Sequence, residues 1–237
     1  MPAAHGRLTR VYINGYDLTG FYRKAESELT REVAESTVFN QDDKTYLPGL
    51  RDASASLEGL YDGAVDGIAE VLHAALSADP LILTLCPQGD GLGNVAHGLS
   101  SLETKYALDA SKDDIVTLAN DVQSSAGRDR LLVHHALGSE VASGQSAAQD
   151  GGAATTNGGV GYLHVPDIAG ITNLAVVIED SADGSTGWAT ILTFAGVTAD
   201  RGRERVAITG TVRRYTRARW TFTGAGSSQF WAGFGRR

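Results

Sequence analysis

The segment Ala53-Ser-Ala-Ser-Leu-Glu-Gly-Leu-Tyr-Asp-Gly63 alternates small or apolar residues with polar ones and runs almost without a loop into Val65-Asp-Gly-Ile-Ala-Glu-Val-Leu-His-Ala-Ala-Leu76. A period of two puts Ala55, Leu57, Gly59 and Tyr61 on one face and Ser54, Ser56 and Glu58 on the other, the pattern of a strand buried on one side. Immediately afterwards Ile68, Val71, Leu72, Ala75 and Leu76 recur at helical spacing, with Asp66, Glu70 and His73 off the stripe. The spacing predicts a helix over 65–76 that lies on a sheet and stops at Asp79-Pro80. Nothing at this junction carries catalytic chemistry.

Around it the chain reads as strands. Arg7-Leu-Thr-Arg-Val-Tyr-Ile-Asn14 ends in the turn dipeptide Asn14-Gly15, and Asp17–Tyr22 follows. Ser27–Glu35 is polar and fits either a strand or a helix. From Ser36 to Asp52 the sequence has Asn, Asp, Pro and Gly at turn positions and no sustained period, so a long connection is expected there. Long ordered connections are usually functional or interfacial. Pro80–Pro87 reads as a strand bounded at both ends, and further strands are expected at Leu102–Asp109, Ile115–Val122 and Arg130–Leu137. Between Gly138 and Gly159 the composition turns to Gly, Ser, Ala, Gln, Asp and Thr, as in a linker or a large loop. Short strands bounded by turns then recur at Val160–Val165, Leu174–Asp180, Ala189–Phe194, Glu204–Thr209, Thr211–Phe222 and Gln229–Phe234, the pattern of a β-sandwich. The expected division is a β domain over 1–142 containing the 65–76 helix, a linker or loop over 143–159, and a C-terminal β-sandwich over 160–237.

Composition narrows the function classes. The 237 residues are 42% hydrophobic and 20% charged, and no run approaches the roughly 18 apolar residues of a membrane helix, so a soluble protein without a membrane partner is expected. Met1-Pro-Ala-Ala-His-Gly-Arg7 lacks the apolar run of a secretory signal. A formal charge of −8 argues against general nucleic-acid binding. The charge is uneven, because from Arg201 onward nine arginines face only Glu204. On alternating strands such arginines line a solvated face or a subunit contact more often than they hold a polyanion.

No residue constellation points to an active site. Cys86 closes the apolar run Leu81–Cys86, where a buried small hydrophobe is the default. His134 and His135 point to opposite faces of a strand, and His5, His73, His97 and His164 are isolated, so neither metal nor cofactor is expected. The glycines of Gln88-Gly-Asp-Gly-Leu-Gly-Asn94 fit neither a dinucleotide fingerprint nor a phosphate loop, and the segment reads as a turn. There is no Gly-x-Ser-x-Gly elbow, and Ser143-Gly-Gln-Ser lies in the linker-like stretch. Asp180-Ser-Ala-Asp-Gly-Ser reads as a hairpin turn before a calcium loop. Trp188, Trp220 and Trp231 read as core before a sugar-stacking platform. The chain is not expected to be an enzyme.

The order of parts between Arg7 and Leu85 resembles the tail tube, or major tail, proteins of long-tailed bacteriophages. The strand pair Val11-Tyr-Ile-Asn-Gly-Tyr-Asp-Leu-Thr19 is followed by a long loop with Tyr46-Leu-Pro-Gly-Leu-Arg51, the strand Ser54–Tyr61 and one helix. The block from about Thr155, with Tyr162–Val165, Ile178–Ser185 and Val212–Trp220, looks like a sandwich that recurs in phage structural proteins. The resemblance implies a mainly β fold, a β-sandwich or barrel with one flanking helix. It implies hexameric rings stacked into a tube, with the long loop reaching the next ring and a central channel for DNA; the acidic balance before Arg201 suits passage of DNA through that lumen without tight binding. The inter-ring contact would be carried by Phe39, Asp42, Asp43, Lys44, Tyr46, Leu47, Pro48 and Leu50. The implied partners are other copies of the chain and other tail proteins, in a virion made in the host cytoplasm. The alternative is a carbohydrate-binding or adhesion module using the tryptophans and Asp-rich turns. A hydrolase with a site gathered from distant residues is the third class. If the C-terminal block is an outer sandwich, cutting near Ala147 should leave a fragment that still assembles.

Overall fold

A computed structural model describes residues 5–77 and 80–237; the expected helix stop at Asp79 and the Met1–Ala4 part of the N-terminal reading lie outside the described residues. A 3-10 turn at Gly6–Leu8 precedes β1 (Arg10–Ile13), β2 (Tyr16–Asp17), β3 (Tyr22–Glu35) and β4 (Tyr46–Leu60). Then come α1 (Ile68–Ala75), β5 (Leu81–Cys86), β6 (Val95–Asp109), β7 (Thr117–Glu140), β8 (Gly144–Gln145) and β9 (Gln149–Asp150). The long β10 (Gly159–Ser181), β11 (Ala189–Thr193), β12 (Gly202–Ile208) and β13 (Tyr215–Arg236) complete the chain. The protein is mainly β, with a single flanking α-helix among the described residues.

Two compact units form, and neither is continuous in sequence. The first takes the described residues up to Gly20, Ile82–Gly98 and Asp129–Arg237; the second takes Phe21–Leu81 and Leu99–Arg128.

In the first unit, β1 pairs antiparallel with β5, Arg10 opposite Cys86 through Ile13 opposite Leu83, and turns into β2 through Asn14-Gly15. Asn14 and Gly15 have φ of 49° and 86°, as a two-residue hairpin turn requires. A Cβ at Gly15 would sit 2.6 Å from the Arg201 backbone, so no other residue fits. Several strands expected to be short are continuous. Val160–Val165 and Leu174–Asp180 belong to β10, while most of Thr211–Phe222 joins Gln229–Phe234 in β13; the two pair from Gly159–Arg236 to Ser181–Tyr215. Register shifts between His164 and Asp167, Ala169 and Ile171, and Ile171 and Asn173 interrupt the ladder. Bulges bend strands. Val165 and Val176, from either side of them, thereby reach one core with Leu192, Phe194, Phe230 and Phe234.

The 143–159 stretch is held against the sheet. There β8 and β9 pair with β13, the Ser143 and Ser146 hydroxyls accept from the Phe222 and Ala218 amides at 2.9 and 3.0 Å, and Trp220 Nε1 donates to the Ala142 carbonyl at 3.0 Å. Its small residues permit the close approach, since a Cβ at Gly144 would lie 2.8 Å from the Trp220 ring. Packing in this unit joins residues from both sides of 143–159, with Tyr12, Ile82, Cys86, Leu131 and Val133 in one core with Val160, Tyr162 and Trp231.

In the second unit, β3 pairs with β4 from Tyr22–Gly59 to Glu35–Tyr46, and β4 pairs with β7 from Ser54–Gln123 to Leu60–Thr117. Burial alternates along β4 as the sequence predicts, with Ala53, Ala55, Leu57 and Gly59 inward. Tyr61 departs from the expectation: it lies beyond the last paired residue and is 42% exposed. The helix is shorter than 65–76. Asp66, at φ 59°, and the extended Gly67 precede it, and Glu70 Oε2 accepts the Asp66 amide at 3.0 Å across the first turn. Ile68, Val71, Leu72 and Ala75 are buried as expected, while Leu76 falls at the C-cap and is 45% exposed.

Candidate functional site

The expected contact loop is largely a strand. Ser27–Glu35, ambiguous in sequence, lies in β3, and Tyr46–Asp52 is the outer half of β4, so the hairpin narrows to a turn at 36–45. Tyr46, Leu47 and Pro48 lie opposite Glu35, Ala34 and Val33; Phe39, Asp42, Asp43 and Lys44 occupy the turn. The register shifts once more between Arg31 and Val33, near Leu50. From Tyr46 to Ala53, β4 pairs with nothing except β3 among the described residues, and β3 pairs with β4 alone. This arm therefore has a backbone edge open on either side.

The arm exposes apolar surface at a density a lone hairpin in water does not favour. Phe39 is fully exposed and Leu50 79% exposed, and Val33, Val38, Leu47 and Tyr46 are each more than half exposed. Its turn is nonetheless ordered by its own bonds. The Ser36 amide donates to the Thr45 carbonyl at 2.8 Å, the Thr45 amide to the Thr37 hydroxyl at 3.1 Å, and Val38 to Gln41 Oε1 at 3.3 Å. Asn40 takes the left-handed conformation at φ 74°, and Lys44 pairs with Glu35 at 3.0 Å. All eight expected residues are thus gathered on one exposed arm. The sequence reading missed Leu29, Val33 and Val38, whose apolar side chains among the charges of β3 and its turn were the available signal.

Among the C-terminal arginines, Arg205, Arg213, Arg214, Arg217, Arg219 and Arg237 are held by acids and do not form a free basic face. Glu179 holds Arg217 at 2.8 Å and Arg219 at 2.5 Å, Asp180 holds Arg213 at 2.6 Å, and Asp150 holds Arg214 at 2.6 Å. Asp129 receives Arg205 at 2.8 Å, Arg237 at 3.1 Å and the Tyr162 hydroxyl at 2.9 Å. Burial would raise the Glu179 carboxyl, but the bonds from Arg219 and Arg217 outweigh it and hold the pKa below the ordinary value. Within β13, Arg217 and Arg219 share Glu179, the registered neighbour of Arg217 on β10, while Asp180 and Asp150 serve Arg213 and Arg214 just before the strand.

The remaining chemical candidates are structural. His134 Nε2 meets the Thr216 hydroxyl at 2.8 Å and Nδ1 the Leu132 carbonyl at 2.9 Å; burial pulls the pKa down to about 4. His164, pulled to about 3 by burial, meets the Thr84 hydroxyl at 2.9 Å and accepts the Gly15 amide at 3.3 Å. No group of three or more His, Cys, Asp or Glu residues suited to a metal occurs among the described residues. Trp220 and Trp231 are core, and Arg217 lies 4.1 Å over the Trp188 ring. Asp183 accepts the Ser185 and Thr186 amides at 2.8 Å each and the Thr186 hydroxyl at 2.6 Å, closing the expected hairpin turn.

One polar group in the second unit went unnoticed in the sequence. Both Glu103 carboxylate oxygens are buried without a hydrogen-bond partner, and burial raises its pKa to about 8. The buried Asn120 side chain accepts the Tyr22 hydroxyl at 2.9 Å, while its amide nitrogen is unpartnered.

Scans against protein-family models and against curated proteins find no match. Among solved structures, a chain of the virion of a native gene transfer agent particle is similar over 54% of this chain and 98% of its own, at 15% identity and a TM-score of 0.43. A chain of an extracellular contractile injection system sheath-tube complex is similar over 55% and 93%, at 11% identity and TM-score 0.43. The SPP1 Dit protein, described as a hub of the adsorption apparatus in phages infecting Gram-positive hosts, is similar over 95% and 98%, at 11% identity and TM-score 0.39. Likenesses this distant say nothing of a shared activity.

Proposed function

We propose that the chain is a structural, non-enzymatic virion subunit that self-associates through the β3–β4 arm into stacked rings, six-membered as its sequence resemblance implies, forming a tail tube. The observation that carries this reading is the arm itself. Its turn is already ordered, so little entropy is lost on docking, while its apolar residues and open edges are covered only if another chain supplies the cover. The order of parts supports the same reading, since strand pair, long hairpin, half-buried strand and helix follow one another as in the family the sequence resembles.

The charge distribution favours a conduit. The second unit carries seventeen acidic and eight basic residues, a balance that repels phosphate rather than holding it. In this reading duplex DNA passes the lumen without tight binding, other tail proteins close the tube ends, and the subunit is made in the host cytoplasm. The carbohydrate-binding alternative loses its platform with Trp220 and Trp231 in the core.

Negative-stain microscopy of the purified chain tests the proposal. Rings or tubes are expected, together with weak duplex binding of shallow salt dependence at physiological salt. Discrete monomers with sugar affinity, or submicromolar DNA binding, would overturn it.

A further inference from the structure

Among the first unit's arginines that enter none of the ion pairs described above, Arg130 and Arg236 share one cavity. Arg236 donates to the carbonyls of Gly151, Ala153, Arg213 and Arg214, and forms no ion pair among the described residues. Burial pulls its pKa below the ordinary arginine value, with Asp150 and Asp180 opposing from a distance. Arg130 is exposed and likewise forms no ion pair among the described residues. Both line one cavity of about 180 Å³, with Leu132 and Phe234 as apolar wall and His134 and Thr216 bonded to each other beside it. Because His134 is neutral at physiological pH, the cavity's charge comes from the guanidinium groups. Four of the five Arg236 N–H donors are spent on carbonyls, which leave its positive charge uncompensated, so it attracts a carboxylate through charge while exposed Arg130 keeps its donor fork free among the described residues.

The matching group lies on the arm of the same sequence. Phe39, fully exposed, is followed three and four residues later by Asp42 and Asp43, both exposed, while the neighbouring Lys44 is neutralised by Glu35. We infer that the Arg130 and Arg236 cavity of one copy receives the acidic, aromatic arm tip of a second copy, carboxylate to guanidinium, with the phenyl ring on the Leu132 and Phe234 side. This rests on the self-association proposed above and names the receptor for it. The charges favour a second copy over nucleic acid, because the acidic excess of the molecule sits in the unit that bears the arm.

The test is sedimentation velocity on the full chain, on Arg130→Glu, on the tip variant Asp42→Arg with Asp43→Arg, and on their combination, with circular dichroism confirming the fold of each. Arg130 is chosen because its exposed side chain supports no hydrogen bond among those described, and Arg130→Gln serves as a milder second variant. Each reversal should weaken association at least tenfold, Arg130→Gln less, and the combination should restore most of it. Wild-type association by Arg130→Glu, or a combination no better than the tip variant, overturns the inference. So does loss of duplex binding by Arg130→Glu with assembly intact, which would make phosphate the occupant. Deleting Asp42–Pro48 separates the two claims. If the deletion still assembles, the arm reading fails as well; if it abolishes assembly while Arg130→Glu does not, only the receptor is wrong. A wild-type chain that stays monomeric contradicts both.

Discussion

The two units solve the same problem, burying a β-sheet, in opposite ways. The first closes on itself, with two aromatic cores, acids spent on arginines across registered strands, and eleven acidic against twelve basic residues. The second is left open. It carries the acidic excess and thirteen of the sixteen large hydrophobic side chains found exposed among the described residues. In the proposed function this unspent charge and apolar surface is what a second molecule covers, so that stability falls to one unit and assembly to the other.

The severest way to break this contrast is to cut the first unit. Truncation near Ala147 removes Val160, Tyr162 and Trp231 from the core they share with Tyr12, Leu131 and Val133. The fragment should lose cooperative thermal unfolding altogether, contrary to the expectation of an independent N-terminal block. A soluble fragment with a sharp transition would mean that the shared core is not needed.

Smaller perturbations probe each unit by its own rule. Leu72→Ala, fully buried, should cost about 2–5 kcal/mol by leaving a cavity, whereas the half-exposed Leu76→Ala should stay within about 0.5 kcal/mol in urea titrations. In the first unit, Glu179→Gln leaves Arg217 and Arg219 facing each other without a counter-charge and should cost on the order of 3 kcal/mol. Equal stability of that variant would show the arginines to be solvated after all.

A separate effect concerns pH. The Glu103 carboxyl binds its proton more tightly in the fold than its ordinary value near 4.5, at about 8, because burial penalises the charge. The folded state thus holds more protons than the unfolded one across that window, and stability should fall as pH rises from about 4.5 through 8. Glu103→Gln should flatten this slope and stabilise the second unit most at the alkaline end. An unchanged slope in denaturant titrations at successive pH values would place the titrating group elsewhere.

Periodicity made the local structure legible and left the long-range structure hidden. Alternation at Ala53, Ala55 and Leu57 and the Ile68, Val71, Leu72 stripe report burial directly, because one exposed face and one covered face write themselves into the residues. The continuity of β10 and β13 did not, since bulges near Pro166 and Gly224 read as turns when only neighbours are seen. The 143–159 strip read as a linker because its bonds are made by small hydroxyls to a strand some seventy residues away. The expected contact residues were placed in a loop because Pro48 and Gly49 suggest a turn and the outer half of β4, 46–52, has no buried face to mark it as strand.

The most direct test of the division of labour is to place a charge on exposed apolar residues of each unit in turn and measure self-association by sedimentation equilibrium. Leu50 and Val141 are 79% and 76% exposed, one on the arm and one in the first unit, so neither change should unfold the chain. The account predicts that Leu50→Asp weakens association by a hundredfold or more while Val141→Asp leaves it within about twofold. Association insensitive to Leu50→Asp and abolished by Val141→Asp would contradict it.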